Sequence, residues 1–205
     1  MRLPIVVQTS IYSILFTAIG INTFAQKISV QNIPAETMKK FNILGVEVVK
    51  TIQFKDKNGL NYLIATTEEN TKDDYTTRKL WVEHFVEGRS AELKMLREIT
   101  DFERDCPVDN QLSLFTDSFT VGDLDNNGYA EIIFLYKTGC KGDVSPSGLK
   151  LMVLENGHKA AIRGKMVIEE FKTPKEMAPD SAFKNLPKII QDKAIALWSK
   201  FENEY

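Results

Sequence analysis

Apolar and polar residues alternate over two neighbouring stretches, "VEVVKTIQF" (46–54) and "LNYLIATTE" (60–68). Both are rich in β-branched residues at a period of two, the spacing of strands. "KDKNG" (55–59) lies between them, and Asn58-Gly59 accept positive φ, so the pair predicts a hairpin. The polar run "ENTKDDYTT" (69–77) predicts an exposed loop. "RKLWVEHFVEG" (78–88) and "AELKMLREITDF" (91–102) predict a second pair around Gly88. The latter also places Leu93, Leu96 and Ile99 near helical spacing, but its hairpin neighbours favour strand. Strand patterns continue at 118–124, 129–137, 149–155 and 158–171, with turns at Asn127-Gly128 and Asn156-Gly157.

Helical signals sit near the two ends of this β-rich region. Residues 32–42 predict a short helix or turn, with Pro34 suited to a first helical position and Glu36 to a first turn. "KTPKEMAPDSA" (172–182) holds two prolines and reads as a surface crossing. From Pro187 to about Asn203, the residues Ile190, Ala194, Leu197, Trp198 and Phe201 share one helical stripe. The face opposite is not enriched in Lys or Arg, so this stripe predicts docking on a sheet rather than on a membrane. The expected fold is therefore mainly β (α+β), an antiparallel β-meander or hairpin sheet with a C-terminal helix, 187–203, packed on it.

Residues 1–25 depart from this pattern. Arg2 supplies a charge, Ile11 to Ile21 is mostly apolar, and Thr23-Phe24-Ala25 places small residues at −3 and −1 before Gln26. That layout predicts a signal peptide and export to the periplasm, outer cell surface or medium. Ile5 to Phe24 is also long enough for a membrane anchor, against which Gln8, Thr9, Ser10 and Ser13 argue. Residues 26–205 then make one expected domain, with no membrane span after cleavage. A formal charge of −2 gives no basic footprint for nucleic acid. Cys106 and Cys140 are the two cysteines of the chain. In an oxidising compartment an even count favours a disulfide over two free thiols or half a metal site.

"VGDLDNNGYAEIIFLY" (121–136) is the segment with the most chemistry. Asp123, Asp125, Asn127, the backbone carbonyl of Tyr129 and Glu131 offer oxygens to one point, as a hard cation such as Ca²⁺ requires. Gly128 permits the bend. The competing reading is a turn whose amides are capped by Asp123 and Asp125. In its favour, "DKNGLNYLI" (56–64) echoes "DNNGYAEII" (125–133) without the matching acids. Three carboxylates in one turn repel unless a cation neutralises them, which favours a structural Ca²⁺. The twelfth position of an EF-hand would fall on Phe134, so this is not one.

Over nine residues the segment resembles the D-x-D-x-[DN]-G-x-x-[DE] calcium loops of integrin-type and VCBS-type β-propellers. A longer resemblance covers roughly residues 80–165. It rests on Asp105-Cys106-Pro107, the acidic turn, "YKTGCKGDVSP" and the A-x-R-G at Ala161 to Gly164. By these features the chain resembles a family of secreted bacterial proteins catalogued as surface polysaccharide biosynthesis proteins. That resemblance implies a Gram-negative envelope setting, a link to surface glycans, and cysteines belonging to one local design.

"CKGDVSPSG" (140–148) is a second candidate, a binding loop with Gly142 shaping the backbone and Asp143 and Ser145 offering polar groups. It also has the make-up of an ordinary rigid turn. Asp101, Glu103, Asp105 and Asp109 form an acidic cluster that a glycosidase would need to arrange across a cleft. His84 reads as packed or rim, His158 as exposed at a turn. Tyr75, Trp81 and Phe85 suit sugar stacking, but strand aromatics more often fill cores. No G-x-S-x-G, P-loop or H-E-x-x-H occurs. Three functions follow as expectations. The first is a non-enzymatic envelope protein binding a glycan or protein partner. The second is a carboxylate-dependent enzyme on surface polysaccharide, and the third a structural or inhibitor-like module.

Overall fold

The computed structural model describes residues 28–88 and 91–204. The expected signal peptide lies outside the described residues. Four antiparallel strands, β1 (Glu47–Asp56), β2 (Gly59–Lys72), β3 (Tyr75–Glu87) and β4 (Leu93–Cys106), form a meander in that order. The "ENTKDDYTT" run is not a free loop. β2 and β3 extend through it, pairing Asn70 with Thr77 and Lys72 with Tyr75. Asp73 and Asp74 turn the chain at φ 51° and 67°, a conformation that Asp tolerates better than most residues. The stretch from Leu93 on is strand, β4, as its hairpin context predicts.

Two short strands, β5 (Asp109–Asn110) and β9 (Cys140–Lys141), pair beside the disulfide between Cys106 and Cys140. A second large antiparallel sheet contains β6 (Ser113–Leu114), β7 (Thr120–Gly122), β8 (Glu131–Thr138), β10 (Gly148–Glu155), β11 (His158–Lys165) and β12 (Glu176–Pro179). Its order is β12-β11-β10-β8-β6, with β7 also paired to β8. The proline-bearing crossing therefore contributes an edge strand, where a missing N–H costs least.

The two large sheets pack face to face. Ile52, Phe54, Leu63, Leu80 and Val82 of the first meet Ile132, Phe134, Tyr136, Met152 and Leu154 of the second. The other face of β8 and β10 presents Ile133, Leu135, Leu151 and Val153 to α3 (Lys188–Phe201). Ile190, Ala194, Leu197 and Trp198 are the buried residues of that helix, so the predicted stripe docks as expected. A short helix, α2 (Ser181–Lys184), precedes it, with the Asp180 side chain accepting from Phe183 N–H. The outer face of the first sheet carries Tyr62, Ile64 and Phe85, covered by Ile33, Met38, Phe41 and Ile43. That covering segment includes α1 (Ala35–Met38), within the stretch expected to be helical. The fold is thus mainly β with antiparallel sheets and a packed C-terminal helix. The second sheet behind the first hairpins is the feature that local patterning left out. Among the described residues no helix is long and apolar enough to cross a membrane.

Candidate metal centre

The acidic turn connects β7 to β8 at the rim of the sandwich. Asn126 and Gly128 bend it with φ of 62° and 91°. The positive φ at Gly128 favours glycine, and a Cβ there would also come to 3.2 Å from the Lys57 side chain. Asp123, Asp125 and Glu131 each bring a carboxylate oxygen to within 4.8 Å of the others.

Capping and convergence coexist here. Asp123 Oδ2 accepts from Gly128 N–H at 3.0 Å, and Asp125 Oδ1 from Asn127 N–H at 3.1 Å. Glu131 Oε2 accepts from Leu124 N–H at 2.7 Å. The turn is therefore tied by its own amides, as the simpler reading expects. What capping leaves over is informative. Asp123 and Glu131 are 7% and 1% exposed, yet Asp123 Oδ1 and Glu131 Oε1 accept no hydrogen bond from any described residue. Buried carboxylate oxygens without a partner are costly, and a cation placed between them would offset that cost.

Electrostatics adds to the strain. Glu131 sits directly across the β8–β10 ladder from Glu155. Burial, reinforced by the Asp125 and Glu155 charges, pushes the Glu131 carboxyl up to about 7. Of the other two expected ligands, Asn127 turns its amide nitrogen to Asp125 and Glu155 and its oxygen to Tyr129 N–H at 2.8 Å. The Tyr129 ring receives the Lys57 ammonium 4.7 Å from its centroid.

Lys57 belongs to "DKNG", the echoed turn between β1 and β2, and this is where the two copies meet. Lys57 N–H donates to the Gly128 carbonyl at 2.8 Å, and Asp56 Oδ2 accepts from Ala130 N–H at 3.1 Å. The copy without the extra acids braces the copy that has them. Behind the brace a polar chain runs into the core. Asp56 Oδ1 accepts from Asn61 Nδ2 at 2.8 Å, and Asn61 Oδ1 lies 2.9 Å from His84 Nε2. Both Asn61 and His84 are buried. Local patterning reads His84 as packed or rim, and its burial settles on the first, but the chain joining it to the loop needed the tertiary structure.

The second candidate loop is a self-held turn. Asp143 Oδ1 accepts from Ser145 N–H at 2.9 Å and from its hydroxyl, and these bonds hold the Asp143 carboxyl below the usual range. Gly142 lies against Val108. The loop is clamped from the C-terminal segment, where Glu204 accepts from Ser147 N–H at 2.8 Å and from Lys141 Nζ at 2.7 Å.

The acidic cluster on and after β4 is dispersed among separate partners. Asp101 pairs with Lys150 and accepts from Tyr136 Oη, Asp105 accepts from Thr77, and Asp109 from Gln111. Phe85 is buried and packs against Phe41, whereas Tyr75 and His158 are exposed and Trp81 partly so. No protein-family model, curated protein or solved structure matches this chain.

Proposed function

We propose that this chain is an exported, non-enzymatic envelope protein that holds a structural Ca²⁺ in the Asp123–Glu131 loop and binds a surface glycan. The observation carrying the cation is the pair of buried, unpartnered oxygens, Asp123 Oδ1 and Glu131 Oε1, in a cluster of three carboxylates. An all-oxygen set of carboxylates suits a hard divalent cation, with backbone and water completing the shell. The metal would be structural, because the loop oxygens that do not cap amides are those that would hold it.

Export is supported by the leader-like composition of residues 1–25 and by a disulfide compatible with an oxidising compartment. The glycan is supported by the resemblance of residues 80–165 to secreted proteins linked to surface polysaccharide. Engagement of Asp101, Asp105 and Asp109 with separate neighbours favours binding over carboxylate catalysis.

Calorimetric titration of the oxidised protein with calcium tests the central claim, with Asp125→Ala as control. Saturable binding that the variant loses, together with a higher melting temperature in calcium, is the expected result. Absence of binding by the parent protein would reduce the loop to a turn held by its own side chains.

A further inference from the structure

Beside the acidic loop lies a groove of about 580 Å³. It is built from segments far apart in sequence. The braced turns supply Lys57, Asn127 and Tyr129, the β10–β11 hairpin His158 and Lys159, and the α2–α3 junction Asn185. Ala182 and Pro187, both exposed, and the partly buried Leu186 add an apolar surface.

We propose that this groove binds an acidic saccharide, a sugar unit carrying a carboxylate. The side chains offer what such a ligand presents. The exposed amide of Asn185 supplies a paired donor and acceptor for hydroxyl groups. The Tyr129 ring and the apolar surface suit the C–H face of a pyranose. Lys57 and Lys159 supply positive charge on a chain whose net charge is negative. Among the described residues Glu155 is the one carboxylate lining the groove, and it is already engaged by the Asn127 amide. The ligand class rests on the glycan reading above, and the position of Asn127 and Tyr129 rests on the loop that the cation would hold.

Amide chemical-shift mapping with methyl β-D-glucuronide, methyl β-D-glucoside and acetate provides the test, on calcium-loaded and on chelator-stripped protein. The glucuronide shifts the resonances of Tyr129, Lys159 and Asn185 saturably. The glucoside, which carries a hydroxymethyl group in place of the carboxylate, binds on the order of tenfold more weakly, as expected for losing one charge-assisted contact. Acetate causes no comparable shift, and Lys159→Glu weakens the glucuronide to the level of the glucoside. Equal binding of the two sugars, or shifts reproduced by acetate, overturns the acidic-saccharide assignment. Glucuronide shifts confined to another surface overturn the groove while leaving the glycan reading standing. Absence of any shift while calorimetry still detects calcium overturns the groove and spares the metal loop. Groove shifts without calcium binding do the reverse.

Discussion

Asp56 and Ala130 are 74 residues apart, yet the Asp56 carboxylate accepts the Ala130 N–H at 3.1 Å and so fixes the last bend of the acidic loop. The same carboxylate holds Asn58 N–H and the Asn61 amide, both at 2.8 Å. One side chain thus ties the turn of the first sheet to the loop of the second. Asp56→Ala leaves three donors without their acceptor. The expected cost is about 2–3 kcal/mol of stability. Calcium affinity should fall in parallel, because a loop that must be ordered on binding loses affinity. Denaturant melts with and without calcium check this. An affinity unchanged while stability drops would mean that the brace supports the sheets and not the loop.

Glu131→Gln separates a metal ligand from an ordinary buried acid. Glu131 is 1% exposed, opposite Glu155, and has one oxygen with no described partner. An amide in its place can still accept from Leu124 N–H and offers donors to the neighbouring carboxylates. In chelator the variant is expected to be more stable than the parent, by about 1 kcal/mol, because a desolvated like charge is removed. In calcium the order reverses, since the parent gains binding energy that the variant lacks. Thermal melts in the two conditions should therefore cross. Parallel displacement in both would remove Glu131 from the ligand set.

His84 should impose an acid limit on stability. Its Nε2 faces Asn61 Oδ1, and because the Asn61 amide nitrogen is committed to Asp56, Nε2 must carry the proton. Nδ1 is buried without a described partner. A second proton there would have no acceptor. Burial accordingly lowers the His84 pKa to about 4, with Asp56 opposing only in part. The unfolded chain titrates at the ordinary value near 6.5. Stability is full above about pH 6.5 and falls by about 3 kcal/mol as pH drops to about 4, where the contribution levels off. His84→Phe should flatten that part of the pH profile. An unaltered slope in the variant would place the acid sensitivity elsewhere.

The hairpins and the C-terminal helix were legible because each is encoded over short range, and the disulfide because a chain with two cysteines has one possible pairing. Asn58-Gly59, Asn127-Gly128 and Asn156-Gly157 mark turns locally, and Ile190 to Phe201 carries its stripe within one helix. The strands of the second sheet are predicted locally, but not their separation from the first sheet, although "EIIFLY" announces it. Six consecutive buried residues in β8 mean that both faces are covered, which one sheet with one helix achieves only in part. The expectation of a loop at "ENTKDDYTT" fails because exposed strand residues are polar for the same reason that loop residues are. Three of the five expected metal ligands converge in space, since spacing within a tight turn is local information. The brace from Asp56 was hidden by a different circumstance. The echo between "DKNG" and "DNNG" was visible, but that two similar turns touch follows only from the packing of two sheets.

The disulfide offers a test that links the two ends of this architecture. Cys106 ends β4 and Cys140 opens β9, so the bond joins the first sheet to the small β5–β9 pair, across 34 residues of chain. Those 34 residues contain the whole acidic loop and β8. Removing the cross-link enlarges the unfolded ensemble, and the chain-entropy treatment gives a loss of about 4 kcal/mol for a closed loop of this size. The folded contacts around it are numerous. Asn110 Nδ2 donates to the carbonyls of Thr76 and Glu103, at 3.0 and 3.1 Å, and holds the same region independently. The Cys106→Ala/Cys140→Ala variant is therefore expected to fold, with a lower denaturant midpoint but nearly the parent affinity for calcium. Chemical denaturation and calcium calorimetry on the same preparation check both halves. A calcium affinity that collapses with the disulfide would show that the bond positions the loop rather than limiting the unfolded chain, and the stabilisation would then belong to the native state.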